Sequence, residues 1–390
     1  MTGLFLRALL AWLAVCPALV EGAEAVSPET ATAGEPGRPL PMESDGKRNP
    51  LTPDVRDDDT ELTMQRGDFV IAPIPISDPV LGEGLVLAAA YFYPQTEEQA
   101  ASQPASVTAV AGMYTSSESY AYGIGQQNYW GEDRWRFSGA LAHADLQLKL
   151  RPGAENGDGG RTDWLIDGNV LQAELSRMIA GDWYLGLISR FVDINQSFET
   201  DRQTGNFDLG SSIRTVGMGL SVEHDSRDLP LNSFSGRLFE LRGLFNDSAF
   251  GSDSTYQAYH AALRSYHLLT KNVVLAWELE ACKKAGSVPL WDACRIGLRG
   301  FPATDYLGKL SGSAQIELRW KFWKRWGLVG FAGGGGVDQS LNKEDDGEVV
   351  PSYGVGLRFM LLKSKRINFR LDYGRSDEGD AVYFSVGEAF

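Results

Sequence analysis

The chain has 390 residues, 43% of them hydrophobic and 22% charged, which is enough for one large domain or two ordinary ones. Its formal charge of -15 argues against nucleic acid as a partner, because phosphate backbones demand a basic surface. After roughly the first twenty residues no apolar run is long enough for a membrane-spanning helix, so a form of this chain that crosses a membrane has to be a closed barrel of strands.

The chain opens on Arg7, an apolar stretch from Ala8 to Val20, and the small residues Ala23 and Ala25 around Glu24. This pattern predicts a signal peptide over 1–25, a mature chain beginning near Val26, and export to an oxidising compartment. Cys16 lies inside that segment behind Val15, whose bulk makes a poor lipoprotein signal, so it is read as discarded with the peptide. From 26 to 67 the sequence is rich in Pro, Gly, Glu and Asp, with Asp57, Asp58, Asp59 and Glu61 in one run and no apolar periodicity. That composition predicts a disordered acidic periplasmic lead.

From 68 to 390 the character changes to short segments of alternating polarity broken by Gly, Asn, Asp and Pro. In Gly312 to Phe322, residues Ala314, Ile316, Leu318, Trp320 and Phe322 fall on one face, and Ser313, Gln315, Glu317, Arg319 and Lys321 on the other. A period of two sends the first set into lipid and the second into a lumen. Arg366 to Gly374 repeats this, with Ile367, Phe369, Leu371 and Tyr373 outward and Arg366, Asn368, Arg370 and Asp372 inward. Trp and Tyr recur near segment ends, as an interfacial girdle requires.

In chain order the predicted strands are Gly84 to Tyr93, Val107 to Thr115, Glu118 to Tyr129, Arg134 to Leu150, Asp167 to Ile179, Trp183 to Phe198, Thr215 to Glu223, Arg237 to Asn246, Tyr256 to Leu268, Asn272 to Lys283, Gly312 to Phe322, Trp326 to Asp338, Ser352 to Leu362, Arg366 to Arg375 and Ala381 to Phe390. The total is odd unless Phe69 to Ile76 is also a strand. Pro73 and Pro75 confine that segment to an edge, where it would meet the last strand at a weak seam. The expected fold is therefore all-β, an outer-membrane type transmembrane antiparallel β-barrel of about sixteen strands.

Two cysteines remain in the mature chain, Cys282 and Cys294, and in an oxidising compartment they are expected to form a loop-stapling disulfide. The four His (His143, His224, His260 and His267) match no zinc spacing. There is no G-x-S-x-G elbow and no clustering of Ser with His, so the reading assigns no catalytic residue, metal or cofactor.

Three local patterns are more specific. Asp225, Arg227 and Asp228, followed by Pro230 and Gly236, form a D-x-R-D…P…G turn; Leu298, Arg299, Gly300 and Phe301 form an R-G-F tip in the long segment after the cysteines; and the chain closes on Arg370 to Gly374 and Gly387 to Phe390. Together, from Phe69 to Phe390, they resemble the bacterial surface antigen family, the barrels that include the outer-membrane assembly factors BamA and TamA. The resemblance implies that Arg299 folds back into the lumen and pairs with Glu317 on the next strand. It also implies a second acid in the strand after that. The matching stretch Phe331 to Val337 has none before Asp338, and its glycines would instead let the loop approach the wall closely. Phe390 reads as the C-terminal signal by which the outer-membrane assembly machinery would insert this chain.

The family's periplasmic substrate-binding repeats have no counterpart in the short acidic lead. What the resemblance implies is a barrel-only relative of insertion and translocation factors, embedded in outer-membrane lipid, gating a lumen and a seam, with other outer-membrane proteins as substrates. The rival is a structural or adhesive surface antigen with a sealed lumen, displaying the loops Gly153 to Arg161 and Asp201 to Asp208.

Overall fold

A computed structural model describes residues 67–78, 81–150, 162–200, 210–229, 232–301, 306–340, 347–362, 366–377 and 379–390. The expected signal peptide, the acidic lead up to residue 66 and the two display loops lie outside the described residues. The strands are β1 (Asp68–Asp78), β2 (Gly82–Phe92), β3 (Val107–Thr115), β4 (Tyr120–Trp130), β5 (Trp135–Leu150), β6 (Thr162–Ala180), β7 (Trp183–Thr200), β8 (Ser211–Asp225), β9 (Gly236–Asn246), β10 (Tyr256–Thr270), β11 (Val273–Gly286), β12 (Cys294–Arg295), β13 (Leu307–Trp323), β14 (Trp326–Ser340), β15 (Val350–Leu362), β16 (Ile367–Ser376) and β17 (Gly379–Val386). Leaving aside the two-residue β12, the other sixteen run as one antiparallel meander in which each strand pairs with the next. Phe69 to Ile76 is indeed a strand, and the even total follows.

Connections at one end are mostly tight, at 131–134, 181–182, 271–272 and 324–325, while the other end carries the long connection 287–306. We refer to these as the turn end and the loop end. The alternation places Ile316 and Leu318 outward, each 47% exposed, on either side of Glu317, which is fully buried. A soluble wall would not leave such residues bare along most of its strands; a hydrocarbon environment accounts for them. Exposed Trp130, Trp183, Trp320 and Trp323 encircle the turn end, and exposed Tyr114, Tyr122, Tyr353 and Tyr373 lie toward the loop end.

A short helix that the alternation did not foreshadow, α1 (Glu97–Ser102), joins β2 to β3. Thr96 and Gln99 close a capping box at its start, and the Gln103 side chain donates to the Tyr129 carbonyl at 2.9 Å, fixing the helix to the wall.

Two expectations need correction, and both concern the seam. The last strand does not run to Phe390: it ends at Val386, Gly387 turns the chain at φ +91°, and Glu388 to Phe390 leave the sheet and enter the lumen. Ile367, expected outward against lipid, is buried with Phe369 and Val386 beneath Ala72 and Ile74 of β1. Ala72 and Ile74 alternate with the exposed Phe69 and Ile71, so they belong to the inner face of β1. The inner face of the first strand thus lies over the outer face of the final hairpin. Among the described residues no paired register joins β1 to β17, and the barrel is nearly closed, by overlap of side chains instead of a ladder.

Candidate functional site: the lumenal clamp

The segment 287–301 passes into the barrel from the loop end and is fastened on the way in. Cys294 is disulfide-bonded to Cys282 of β11, and Cys294 and Arg295 pair with Gly308 and Leu307. A 3-10 turn over Leu290–Asp292 follows from Pro289, and its Asp292 carboxylate accepts from Arg190 of β7 at 2.7 Å and from the Tyr256 hydroxyl of β10 at 2.6 Å, with Lys284 of β11 at 2.7 Å. Burial pushes the Asp292 carboxyl up, but Arg190 and Lys284 outweigh it and hold the group well below the usual carboxylate range. Trp291 beside it joins an apolar cluster with Leu148, Trp164, Ile166 and Val192 on the inner wall. Ile296, Leu298, Phe301 and Tyr306 pack against Val337 and Val350 on the opposite side. The segment therefore bridges the lumen.

Its tip is Arg299. Nη1 donates to Asp372 of β16 at 2.6 Å, and Nη2 donates to Glu317 of β13 and to Gln315 at 3.4 Å. The guanidinium stacks 3.5 Å over the Phe331 ring of β14. Glu317 and Asp372 have no solvent exposure, so each needs these partners to offset its desolvation. The main chain is seated as firmly: the Ser352 hydroxyl donates to the Arg299 carbonyl, the Gly300 N–H donates to the Tyr383 hydroxyl at 2.8 Å, and the Ser376 hydroxyl donates to the Gly300 carbonyl at 2.7 Å. Gly300 sits at φ +95°, and a Cβ there would lie 2.8 Å from the Arg375 carbonyl carbon, so only glycine fits. A Cβ at Gly335 would meet Ile296 at 2.9 Å, which is the close approach expected of the glycine run.

The clamp does have two carboxylates, but the second is not where the resemblance puts it. β14 contributes the Phe331 face, Asp338 plays no part in the clamp, and Asp372 supplies the second acid from two strands further on.

From the clamp the charges continue toward the turn end in a closed circuit. Glu317 accepts from Arg319 at 2.9 Å; Arg319 lies 3.9 Å from Glu388; Glu388 accepts from Arg358 at 2.8 Å; and Arg358 donates to Asp372 at 2.5 Å. Arg319 also donates to the Phe390 main-chain oxygen at 2.8 Å, and its guanidinium stands 5.3 Å from the Phe390 ring. Phe390 is thus tied to the same circuit as Arg299. Both tie into it by geometry that sequence spacing does not report.

The second motif lies at the turn end. Arg227 chelates Asp225 at 2.8 and 2.9 Å, and Gly236, at φ +100°, has no room for a Cβ beside the Ser226 carbonyl. Asp228 accepts from the Phe234 and Ser235 amides at 2.8 and 3.1 Å and from Arg366 at 2.8 Å. Arg366 stands 4.1 Å over Phe234, and Asn232 donates to its carbonyl at 3.1 Å. Asp228, Asn232 and Phe234 of the β8–β9 connection therefore reach across the mouth to Arg366. Arg136, which sequence reading passed over, joins this motif to the wall through Asp133 at 2.7 Å and Glu223 at 2.8 Å. The four His stand on three strands, His143 on β5, His224 on β8, and His260 and His267 on β10, and no group of three or more His, Cys, Asp or Glu among the described residues is placed to hold a metal.

No protein-family model matches the chain, and no curated protein does. Among solved structures the barrel is similar to BamA from Haemophilus ducreyi lacking POTRA domains 1-3, with a TM-score of 0.56 and 12% identity over 83% of this chain and 70% of that one. It is similar to CdiB from Escherichia coli, with a TM-score of 0.56, 13% identity and coverage of 82% and 62%, and to CdiB from Acinetobacter baumannii, with 0.53, 11%, and 83% and 60%. This chain therefore spans less than two thirds of either CdiB. What it shares with all three is the barrel fold.

Proposed function

We propose that this chain is an exported outer-membrane barrel of a Gram-negative bacterium that inserts or translocates other outer-membrane proteins by gating its lumen and seam. The observation that carries the reading is the seam. Each neighbouring pair of long strands shares a ladder, whereas β1, with Pro73 and Pro75 withholding two donors, meets the final hairpin only by overlapping it. A wall that closes by side-chain packing can part at that line without breaking a ladder. Its outward face would lie in outer-membrane lipid, the turn end would face the periplasm and the loop end the exterior, and the chain itself would be inserted by the assembly machinery that reads its C-terminal end.

The test is a reversible lock. With Cys282 and Cys294 replaced by Ser, a disulfide placed across the overlap by I74C and F369C should stop the reconstituted barrel from accelerating insertion of a second outer-membrane protein, and reductant should restore it. Equal activity of locked and unlocked barrels refutes gating at the seam.

A second reading, a surface antigen with a sealed lumen, draws on the segment 287–301, which crosses the lumen from the loop end, and on the bond from Arg366 to Asp228 across the turn end. It requires no conductance from the reconstituted protein and an unchanged outer-membrane protein profile when the chain is deleted.

A further inference from the structure

The circuit below the loop tip is a ring of six alternating charges, Arg299, Glu317, Arg319, Glu388, Arg358 and Asp372, each side chain at least nine-tenths buried. Four of them belong to the wall: Glu317 and Arg319 on β13, Arg358 on β15 and Asp372 on β16. The other two are carried in by segments outside the ladders, Arg299 by the loop tip and Glu388 by the tail that Gly387 turns inward. These two occupy opposite points of the ring, and each reaches the other only through a wall acid and a wall arginine. Arg370, 3.6 Å from Asp372, is fixed to β16 and stays in place when either segment leaves.

When Arg299 withdraws, Glu317 and Asp372 draw on Arg319 and Arg358 alone, the same two arginines that hold Glu388, and one negative charge is left in excess among the six. Burial keeps solvent from screening that excess, so the tail is held less firmly. When Glu388 withdraws the converse follows: both wall arginines turn fully to the two acids, and Arg299 is held less firmly. The tip also grips the last strand directly, through the Gly300 N–H on the Tyr383 hydroxyl of β17. Among the described residues β17 has a ladder on its β16 side alone, and β1 lies over the hairpin without one. The tip and the tail are therefore what fasten β17 from within the lumen. We propose that they form one latch: release of Arg299 loosens the tail and, with it, β17 at the seam, and release of the tail loosens the tip. The latch rests on the ring of charges and not on the transport reading above; it holds equally for a barrel that moves nothing. Coupling of this kind runs to roughly 5- to 150-fold and is equal in both directions.

Two amides report the latch in the purified full chain: Gly300 for the tip, and Gly387, which donates to the Asn368 carbonyl at 2.8 Å, for the tail. Hydrogen exchange followed by mass spectrometry on peptides covering 296–301 and 384–390 reads both. R299Q should quicken exchange in the tail at least fivefold, and E388Q should quicken the tip by a similar factor, although neither side chain bonds to the amide that responds. In an E388Q background R299Q should change the tail by no more than about twofold, because the ring that links the two is already broken. G300A unseats the tip with every charge kept, and it should quicken the tail as R299Q does. The heat-dependent gel shift of a folded barrel shows which variants have assembled, and G300A carries the test if R299Q has not. The proposal is overturned by a tail that stays within twofold of the parent while the tip of R299Q or G300A exchanges faster, by a tip unchanged in E388Q, or by quickening that β5 to β7 share.

Discussion

Replacing Arg299 with Lys keeps the charge at the loop tip and removes the fork. In the structure one guanidinium spans two carboxylates on strands β13 and β16 while stacking on Phe331, and a single ammonium can reach only one of those acids and presents no plane. Glu317 keeps Arg319, and Asp372 keeps Arg358, so neither acid is stranded. The expected loss is therefore one charge-assisted bond, about 1.5–3 kcal/mol, plus part of a desolvated stack, about 0.5–2 kcal/mol. Taken together this is about 2–4 kcal/mol, or roughly 30- to 1,000-fold in the ratio of seated to released tip. The reporter is the Gly300 amide, which is protected through the Tyr383 hydroxyl. Hydrogen exchange followed by mass spectrometry on a peptide covering 296–301 should show faster exchange in R299K by that factor, with exchange in β5 to β7 unchanged. Parent-like exchange at Gly300 would show that the fork and the stack do not seat the tip, and the clamp argument would fail.

G300A should act in the same direction from the backbone side: a residue with a Cβ at φ +95° costs about 1–2 kcal/mol before its contact with Arg375, so exchange across 296–301 should quicken without loss of the folded-barrel gel shift. Removing the Cys282–Cys294 bond, which closes a separation of 12 residues, should cost about 3 kcal/mol on the loop-entropy estimate. Thermal melts of C282S with C294S against the parent, read by near-ultraviolet circular dichroism, check it; equal midpoints would show that the wall already fixes the loop. Asp292 sets a pH dependence. Its folded carboxyl titrates below the unfolded value of about 4, so its contribution is fully present above that pH and is lost as acid approaches the depressed folded value. Between about pH 4 and pH 2 the parent should lose loop protection that D292N, already weakened at neutral pH, does not lose further; parallel acid profiles in exchange experiments would contradict the anchoring by Arg190 and Lys284.

The even strand total, the outward face of β13 and the position of Glu317 were all legible in the amino-acid sequence, because each depends on the local period of two or on a neighbour in the meander. Arg299 was legible as a tip only through the R-G-F pattern and the family it resembles, and Glu317 as its partner through the same resemblance. Asp372 was visible as an inward residue and invisible as a clamp partner. It lies 73 residues from Arg299, and only closure of the wall brings β16 opposite β13. The same holds for Asp228 with Arg366, 138 residues apart across the mouth, and for Arg190 with Asp292, 102 apart across the lumen. The fate of Ile367 and Phe390 was beyond any local pattern: alternation says which way a side chain points from its own sheet, but not that the first strand will lie over the last hairpin or that Gly387 will turn the tail inward. Local chemistry determined the strands and their faces; ring closure, which pairs residues by position around a circle and not by distance along the chain, decided what the lumen holds.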